Sequence, residues 1–384
     1  MFAYSLSGYG SMATDRIRNE AYAQALRAAI QPGCVVLDIG TGTGAMAILA
    51  CQMGAARVFA IEPSPVIQVA RQIAAANHCA DKIEFIEDLS TRVTLPVQAQ
   101  VIVSDLRGVL PIFEQHIPSI VDARQRHLAP GGTLIPRKDF LWAAIVESPE
   151  TYAELVDPWE KNTFGQDLSA ARQIAVNKYC KARMKPEQSL AQPTLWKTLD
   201  YNRIESPDAE GRLDWTIERA GTGHGILLWF DAELADGVGY SNAPGAPEVI
   251  YGSLFFPWPQ PVALAPGENV AIELQAKLLD EDYTWRWKTR ITPAGKSAET
   301  RFSFDQSDLQ GMLLSPASLR KAASDYVPVL SEDGVINART LALMDGRRSL
   351  EEIAQLLCAE FPARFSGWRQ ALSYAGALSQ KLSR

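Results

Sequence analysis

Between about residues 33 and 145 the chain alternates short apolar runs with stretches of helical period: "CVVLDIG", "GAMAILACQM", "RVFAIEP", "VIQVARQIAAAN", "KIEFIED", "VIVSDL" and "GGTLIPR". Runs of β-branched and other apolar residues separated by 3.6-period segments predict buried parallel strands with helices over both faces. The first fold expectation is therefore α/β, a doubly wound Rossmann-like sheet whose ligands sit at the carboxyl ends of its strands.

From about 146 to 310 the helical period fades. Strand-like runs take over in "LDWTIERA", "GILLWFDAEL", "SLFFPWPQPVAL", "NVAIELQAKLL" and "YTWRWKTRI", separated by turn signals such as "APG" and "SPDAEG". That pattern predicts an antiparallel barrel or sandwich. The segment 158–193 is more helical and polar, an excursion from the β unit. In 321–384 the pattern predicts two short strands around an "SED-G" turn, then two helices broken at "DG", with Ser349 and Glu352 spaced as a capping box. The chain divides on this reading into 1–145, 146–315 and a small α+β module at 321–384.

Composition removes several classes. Hydrophobic residues at 47% and charged residues at 21% are ordinary for a globular protein, and a net charge of −7 gives nucleic acid no global attraction. The five cysteines are scattered without a CxxC pair, which points to a reducing cytoplasm. The four histidines lie too far apart for a helical i,i+4 pair, and no metal site is expected. The start, "MFAYSLSGYGSM", lacks a cationic region before an apolar core, and no 18-residue uncharged apolar run occurs, so neither export nor a membrane partner is expected.

The chemistry begins at "LDIGTGTG". Asp38 ends the first predicted strand, and Gly40, Gly42 and Gly44 let the backbone turn tightly and approach a ligand without Cβ interference. Two ligands use such a bend. A dinucleotide fits because Gly40, Gly42 and Ala45 satisfy GxGxxG/A, with Glu62 where a ribose-binding acid belongs. S-adenosylmethionine fits as well, with its ribose on Glu62 and its ammonium group within reach of Asp38.

The D-x-G-x-G-x-G pattern followed by an acid resembles class I methyltransferases more than dehydrogenases, and the resemblance extends along residues 9 to 295. "MATDRIRNEAY" is similar to the M-L-K-D-x-x-R-T-x-x-Y helix of protein arginine methyltransferases, which implies Met12 near the transferable methyl and Arg18 at the cofactor carboxylate. "VIVSDLRGVLPIFE" resembles that family's two-glutamate hairpin, which implies Asp105 and Glu114 as the acids that orient the acceptor. "GGTLIP" matches its GG-x-x-x-P, and "PWEKNTFGQDLS" resembles its dimerisation arm, implying a homodimer. For the adenine, Asp88 with the backbone near Ser90 is the implied contact.

Three departures fall on the acceptor side. Asp105 is one methylene shorter than the family's glutamate, pulling its oxygens back by about 1.5 Å. The family's W-M is here Leu106-Arg107, so that a cation either bonds the loop's own acids or holds a carboxylate or phosphate of a non-arginine acceptor. The family's Thr-His-Trp is here Val249-Ile250-Tyr251, which leaves Arg107, Ile250 and Tyr251 to line the acceptor pocket.

The tail "GVINARTLALMDGRRSLEEIAQLLCAEFP" resembles the small winged-helix chaperone of quinone-cofactor peptide biosynthesis, a family that recognises leader peptides. Strand addition at a sheet edge would be its means of capture. The resemblances together imply a Rossmann-like methyltransferase sheet, a β-barrel with a dimerisation arm and a winged-helix-like module. The implied activity is methyl transfer from S-adenosylmethionine to a guanidinium or another nucleophile on a protein, peptide or small molecule. The alternatives are a catalytically inactive cofactor-binding scaffold or peptide-recognition protein, and a nicotinamide oxidoreductase.

Overall fold

The computed structural model describes residues 5–296 and 299–383. It divides into two compact units, one ending at Met312 and one beginning at Leu313.

The first unit opens with two helices, α1 (Leu6–Thr14) and α2 (Arg16–Ala29), separated by Asp15, whose carboxylate caps α2 by accepting from the Arg18 N–H. Five parallel strands follow: β1 (Val35–Ile39), β2 (Arg57–Ile61), β3 (Ile83–Ile86), β4 (Ala99–Ser104) and β5 (Leu128–Ile135), in the order β3-β2-β1-β4-β5. Helices α3 (Ala45–Gln52), α4 (Ile67–Ala76) and α5 (His116–Arg126) lie on the crossovers. Val36, Leu37, Asp38 and Ile39 are all buried, and since consecutive side chains point to opposite faces, both faces of β1 are covered. The strand order reverses between β1 and β4, where Ile39 pairs with Ser104. That reversal opens a crevice at their carboxyl ends.

The chain then leaves the parallel sheet through Pro136 and enters an antiparallel region. Its strands are β6 (Lys138–Val146), β7 (Cys180–Ala182), β8 (Thr194–Asp200), β9 (Ala209–Thr216), β10 (Gly221–Ala235), β11 (Val238–Ser241), β12 (Ser253–Leu264), β13 (Asn269–Leu279), β14 (Asp282–Thr292) and β15 (Phe302–Ser307). One sheet runs β7-β12-β10-β6-β8 with β11 on β10, and the other runs β15-β14-β13-β9. Period-2 burial along β13 and β14 turns Trp285 and Trp287 inward onto Phe256 of the other sheet, with ring centroids 5.2 Å apart in both pairs. The excursion after β6 is helical, as its composition predicts, but begins earlier than residue 158, with α6 (Pro149–Glu160) and α7 (Ser169–Ala175). Pro149 at the first helical position explains the earlier start.

The second unit differs from the α+β expectation. It consists of α8 (Pro316–Lys321), α9 (Glu332–Leu343), α10 (Leu350–Glu360) and α11 (Trp368–Leu382), with no strand among its described residues. The "SED-G" segment is not a hairpin turn: Ser331 caps α9, its hydroxyl accepting from the Gly334 N–H at 3.2 Å. The capping box at Ser349 and Glu352 is present in α10. Ile336, Leu343, Ile353, Leu357 and Phe365 form the core between these helices. Among the described residues of this unit, capture of a leader peptide by strand addition has no sheet edge to use.

Candidate active site

The glycine bend joins β1 to α3. Gly40, Gly42 and Gly44 have φ of +70°, +54° and +85°, a region L side chains avoid, so the alternate glycines are a backbone requirement. A Cβ on Gly40 would collide with Leu106, and one on Gly42 would stand 2.7 Å from the Tyr9 ring of α1. The bend is tied to β2 through Ile61, whose carbonyl accepts from the N–H groups of Gly40 and Thr41. Glu62, one residue further on, is buried at 7% exposure. Its two oxygens accept from the Gly42 N–H at 3.1 Å and the Ser64 N–H at 3.0 Å. A carboxylate has about four lone-pair sites, so capacity remains for two hydroxyl donors.

Asp38 lies beneath the bend. Its carboxylate accepts from the Thr41 hydroxyl at 2.6 Å and from the Ala47 backbone in the first turn of α3. Burial pushes this acid up to about 7, against the pull of those two bonds, with Glu62 adding to the rise and Arg18 opposing it.

At the end of β4 the structure assembles a buried charge network that joins the parallel sheet to the antiparallel region. Arg18 of α2 donates from Nε to Asp105 Oδ2 at 2.6 Å, and its Nη2 lies 2.5 Å from the same oxygen. Tyr251 donates its hydroxyl to that oxygen at 2.5 Å, and Arg107 Nε reaches Oδ1 at 3.2 Å. The Arg107 side chain has no exposed surface. Its Nη1 donates to Asp139 of β6 at 2.7 Å, its Nη2 donates to the Tyr22 hydroxyl, and Phe230 and Tyr240 each present a ring centroid 5.5 Å from its Cζ. Asp139 in turn accepts from Tyr201 at 2.5 Å, and the Tyr201 hydroxyl lies 3.0 Å from His116 Nε2.

The two acids of this network differ in their counter-charge. Burial raises both, but Asp105 faces two guanidiniums and a tyrosine hydroxyl, and ends below the usual carboxylate range. Asp139 has one guanidinium, and burial pushes it up to about 6 against Arg107 and Tyr201. Burial, reinforced by the charge of Arg107, lowers His116 to about 3, which keeps its ring neutral.

The remaining expected residues distribute unevenly. Glu114 is half-buried with φ +40°, and no side chain among the described residues hydrogen-bonds or ion-pairs with it. Burial raises this acid, and the charges of Asp282, which opens β14, and Glu281 just before it raise it further. Asp105 and Glu114 thus share a loop but no bond. Met12 is half-buried in α1, its carbonyl accepting from Asn19 Nδ2. Asp88 follows β3 and caps its own turn by accepting from the Leu89 N–H, while the carbonyl of buried Ser90 is taken by Arg126. The Ile250 N–H donates to Asp15 at 2.8 Å, drawing the Val249–Tyr251 segment onto the cap between α1 and α2.

Arg107 requires a correction. Its side chain has no exposed surface, and its Nε, Nη1 and Nη2 each donate to a partner inside the protein, so it is not presented to an anion on an acceptor; it bonds the acid of its own loop. Asp139, Tyr22, Tyr201 and Tyr240 were not anticipated as site residues. The one local signal was an acid early in the strand "KDFLWAAIV", which is apolar from Phe140 onward. A charge inside such a strand has to be paired.

Comparison with known proteins fits both halves of this geometry. A family model described as ribosomal protein L11 methyltransferase matches residues 20–136, and one described as arginine methyltransferase oligomerization subdomain matches residues 138–290. Protein arginine N-methyltransferase 6 of Xenopus laevis is 31% identical over 238 residues, covering 59% of this chain and 69% of that protein. Protein arginine N-methyltransferase 1 of Dictyostelium discoideum is 29% identical, covering 64% and 74%. Against the probable protein arginine N-methyltransferase 6 of Arabidopsis thaliana the identity is 30%, and the chain spans about half of that relative, 53%. Among solved structures, Arabidopsis thaliana protein arginine methyltransferase 10 superposes with a TM-score of 0.70 at 22% identity, covering 79% of this chain and 97% of that one. The Trypanosoma brucei PRMT1 enzyme–prozyme complex with AdoHcy gives 0.69 at 18% identity, covering 78% and 97%. With the glycine bend, the acid-bearing loop and the antiparallel region in the same order along the chain, this protein belongs to the protein arginine N-methyltransferase family.

Proposed function

We propose that the chain is an S-adenosylmethionine-dependent methyltransferase of the protein arginine methyltransferase type, acting on a guanidinium or another nucleophile of a protein, peptide or small molecule. The observation that carries this reading is the left-handed glycine bend with the Glu62 carboxylate directly under it and buried Asp105 at the adjoining strand end. The bend fits the cofactor: its glycines supply the left-handed backbone of the turn, with Leu106 and Tyr9 packed where Cβ atoms of Gly40 and Gly42 would stand, and Glu62 keeps lone pairs for the ribose hydroxyls. When bound, the cofactor supplies an electrophilic methyl on a sulfonium. The protein's own part is alignment and exclusion of water. Glu62 would hold the sugar, Asp38 and Arg18 the amino-acid tail, Asp88 and Ser90 the adenine, and Met12 on α1 would be the residue near the methyl. Asp105 and Glu114 orient the acceptor, with Ile250 and Tyr251 beside them.

Calorimetric titration with S-adenosylhomocysteine, followed by transfer of labelled methyl from S-adenosylmethionine to arginine-rich peptides, tests the assignment. An absence of binding ends it. One observation favours a second reading: Asp105 already receives four donors, as a scaffold without turnover would allow. Binding with no methyl incorporation across peptides and cell lysate selects that scaffold. Family membership leaves the nicotinamide oxidoreductase without support.

We further propose a homodimer through the excursion at 158–193, where Trp159 is 37% and Phe164 84% exposed, and light-scattering mass decides it. No helix among the described residues is long and apolar enough to cross a membrane. The cytoplasmic assignment is part of this proposal and rests on the scattered, unpaired cysteines, and fractionation of the source cells tests it.

A further inference from the structure

Two carboxylates and two guanidiniums are buried together at the β4 end, and their attachments are unequal. Arg107 is held by two acids, Asp139 and Asp105, by the Tyr22 hydroxyl and by the rings of Phe230 and Tyr240. Arg18 has a single acid, Asp105; its other contacts are the Tyr251 hydroxyl, the side chain of its neighbour Asn19 and the Tyr22 ring, whose centroid lies 5.3 Å from its Cζ. Arg18 also stands beside the cofactor bend, near enough for its charge to act on Asp38. Leu106, between Asp105 and Arg107, packs against Gly40. The acceptor loop and the cofactor bend therefore meet at Arg18.

An anion arriving at the bend must compete with Asp105 for that arginine. A buried carboxylate with a single counter-ion cannot release it without being left unpaired in a dry site, which is strongly unfavourable. Asp105 has a second guanidinium, fixed in place by a second acid from β6. We propose that Arg107, anchored by Asp139, is a positioning residue: a resident counter-ion for Asp105 that lets Arg18 turn to the carboxylate of the cofactor's amino-acid tail. The inference rests on the reading of the glycine bend as the S-adenosylmethionine site. It also gives a reason for the arginine that departs from the family's loop.

The test compares two ligands on the full chain by calorimetry. S-adenosylhomocysteine carries the tail carboxylate, whereas 5′-methylthioadenosine has the same nucleoside thioether without it. Replacing the pair together, Arg107→Met with Asp139→Leu, exchanges a buried ion pair for apolar side chains, a change folded proteins often tolerate. In that variant S-adenosylhomocysteine should bind about tenfold more weakly, as for one lost charge-assisted bond, while methylthioadenosine is unchanged. Adding Asp105→Asn removes the acid's demand on Arg18 and should restore binding. In an otherwise unaltered chain, Asp105→Asn alone should tighten S-adenosylhomocysteine severalfold, so the outcome does not depend on the double variant folding.

Equal weakening of both ligands in the double variant, or no change in either, overturns the proposal. So does an Asp105→Asn chain that fails to bind S-adenosylhomocysteine more tightly. If the unaltered chain binds neither ligand, the methyltransferase reading fails and takes this inference with it.

Discussion

The bend at Gly40–Gly44 and the loop from Asp105 to Glu114 follow adjacent strands of one sheet, yet different forces hold them. The bend is a main-chain object: three left-handed residues, two N–H groups on Ile61 and one on Glu62, with these hydrogen-bond partners within 25 residues. The loop is a side-chain object, in which Asp105 and Arg107 take partners from α2, β6 and the 249–251 segment, up to 146 residues away. A site shaped by backbone presents one geometry and loses affinity in steps when single contacts go. A site built from buried charges is stable only while the charges are balanced, so single changes there should be costly to the fold itself.

The sharpest way to break that contrast is Arg107→Met alone. It leaves Asp139 with only a tyrosine hydroxyl and its partner acid with one guanidinium fewer, all in the protein interior. Breaking one side of a buried ion pair typically destabilises by about 3–5 kcal/mol. Thermal unfolding should show a fall of that order. A variant that melts like the unaltered chain would mean that the network is not under electrostatic tension, and the contrast would dissolve.

A change of comparable chemistry in the bend should act on affinity instead. On the proposed reading, Glu62→Ala removes two hydroxyl contacts to the ribose, each about 1 kcal/mol, so S-adenosylhomocysteine binding should weaken by roughly thirtyfold. The melting temperature of the free chain should move less than for Arg107→Met, because the loss of Glu62 leaves two backbone N–H groups without this partner but no buried ion pair broken. Calorimetry and a melting curve on the same sample separate the two effects.

The same contrast explains what could be read from the amino-acid sequence. Alternate glycines and an acid at the next strand end are local, and the backbone reason for them is contained within a few residues, so the bend was legible. The parallel and antiparallel regions were legible from their different hydrophobic periods. Asp105 was found through its place in the loop, but its network was not, because no period or spacing links Arg107 to Asp139, Tyr22 or Tyr201. In the second unit, alternation in "YVPVLS" suggested strands. The Ser331 cap starts a helix instead, and a lone strand without a partner has nothing to bond.

The smallest expected effect tests the bend from its interior. Burial holds Asp38 up to about 7, so it changes charge across neutrality. Its ionised form is the one that accepts from Thr41 and the Ala47 backbone and the one that can face a tail ammonium, so protonation weakens the site. The direction is fixed by that sign: S-adenosylhomocysteine affinity should rise from pH 6 to pH 8 and then level, with about one tenth of the acid ionised a unit below its midpoint and up to about tenfold weaker binding there. Asp105 lies below the usual carboxylate range and stays ionised throughout, and His116, lowered to about 3, stays neutral, so neither adds to the slope. Asp139, pushed up to about 6, titrates in a lower window on the acceptor side. Asp38→Asn should therefore flatten the profile while Asp139→Asn leaves its upper part intact. If instead Asp139→Asn flattens the profile and Asp38→Asn does not, the charge network controls the cofactor bend directly, and the two regions have to be treated as a single site.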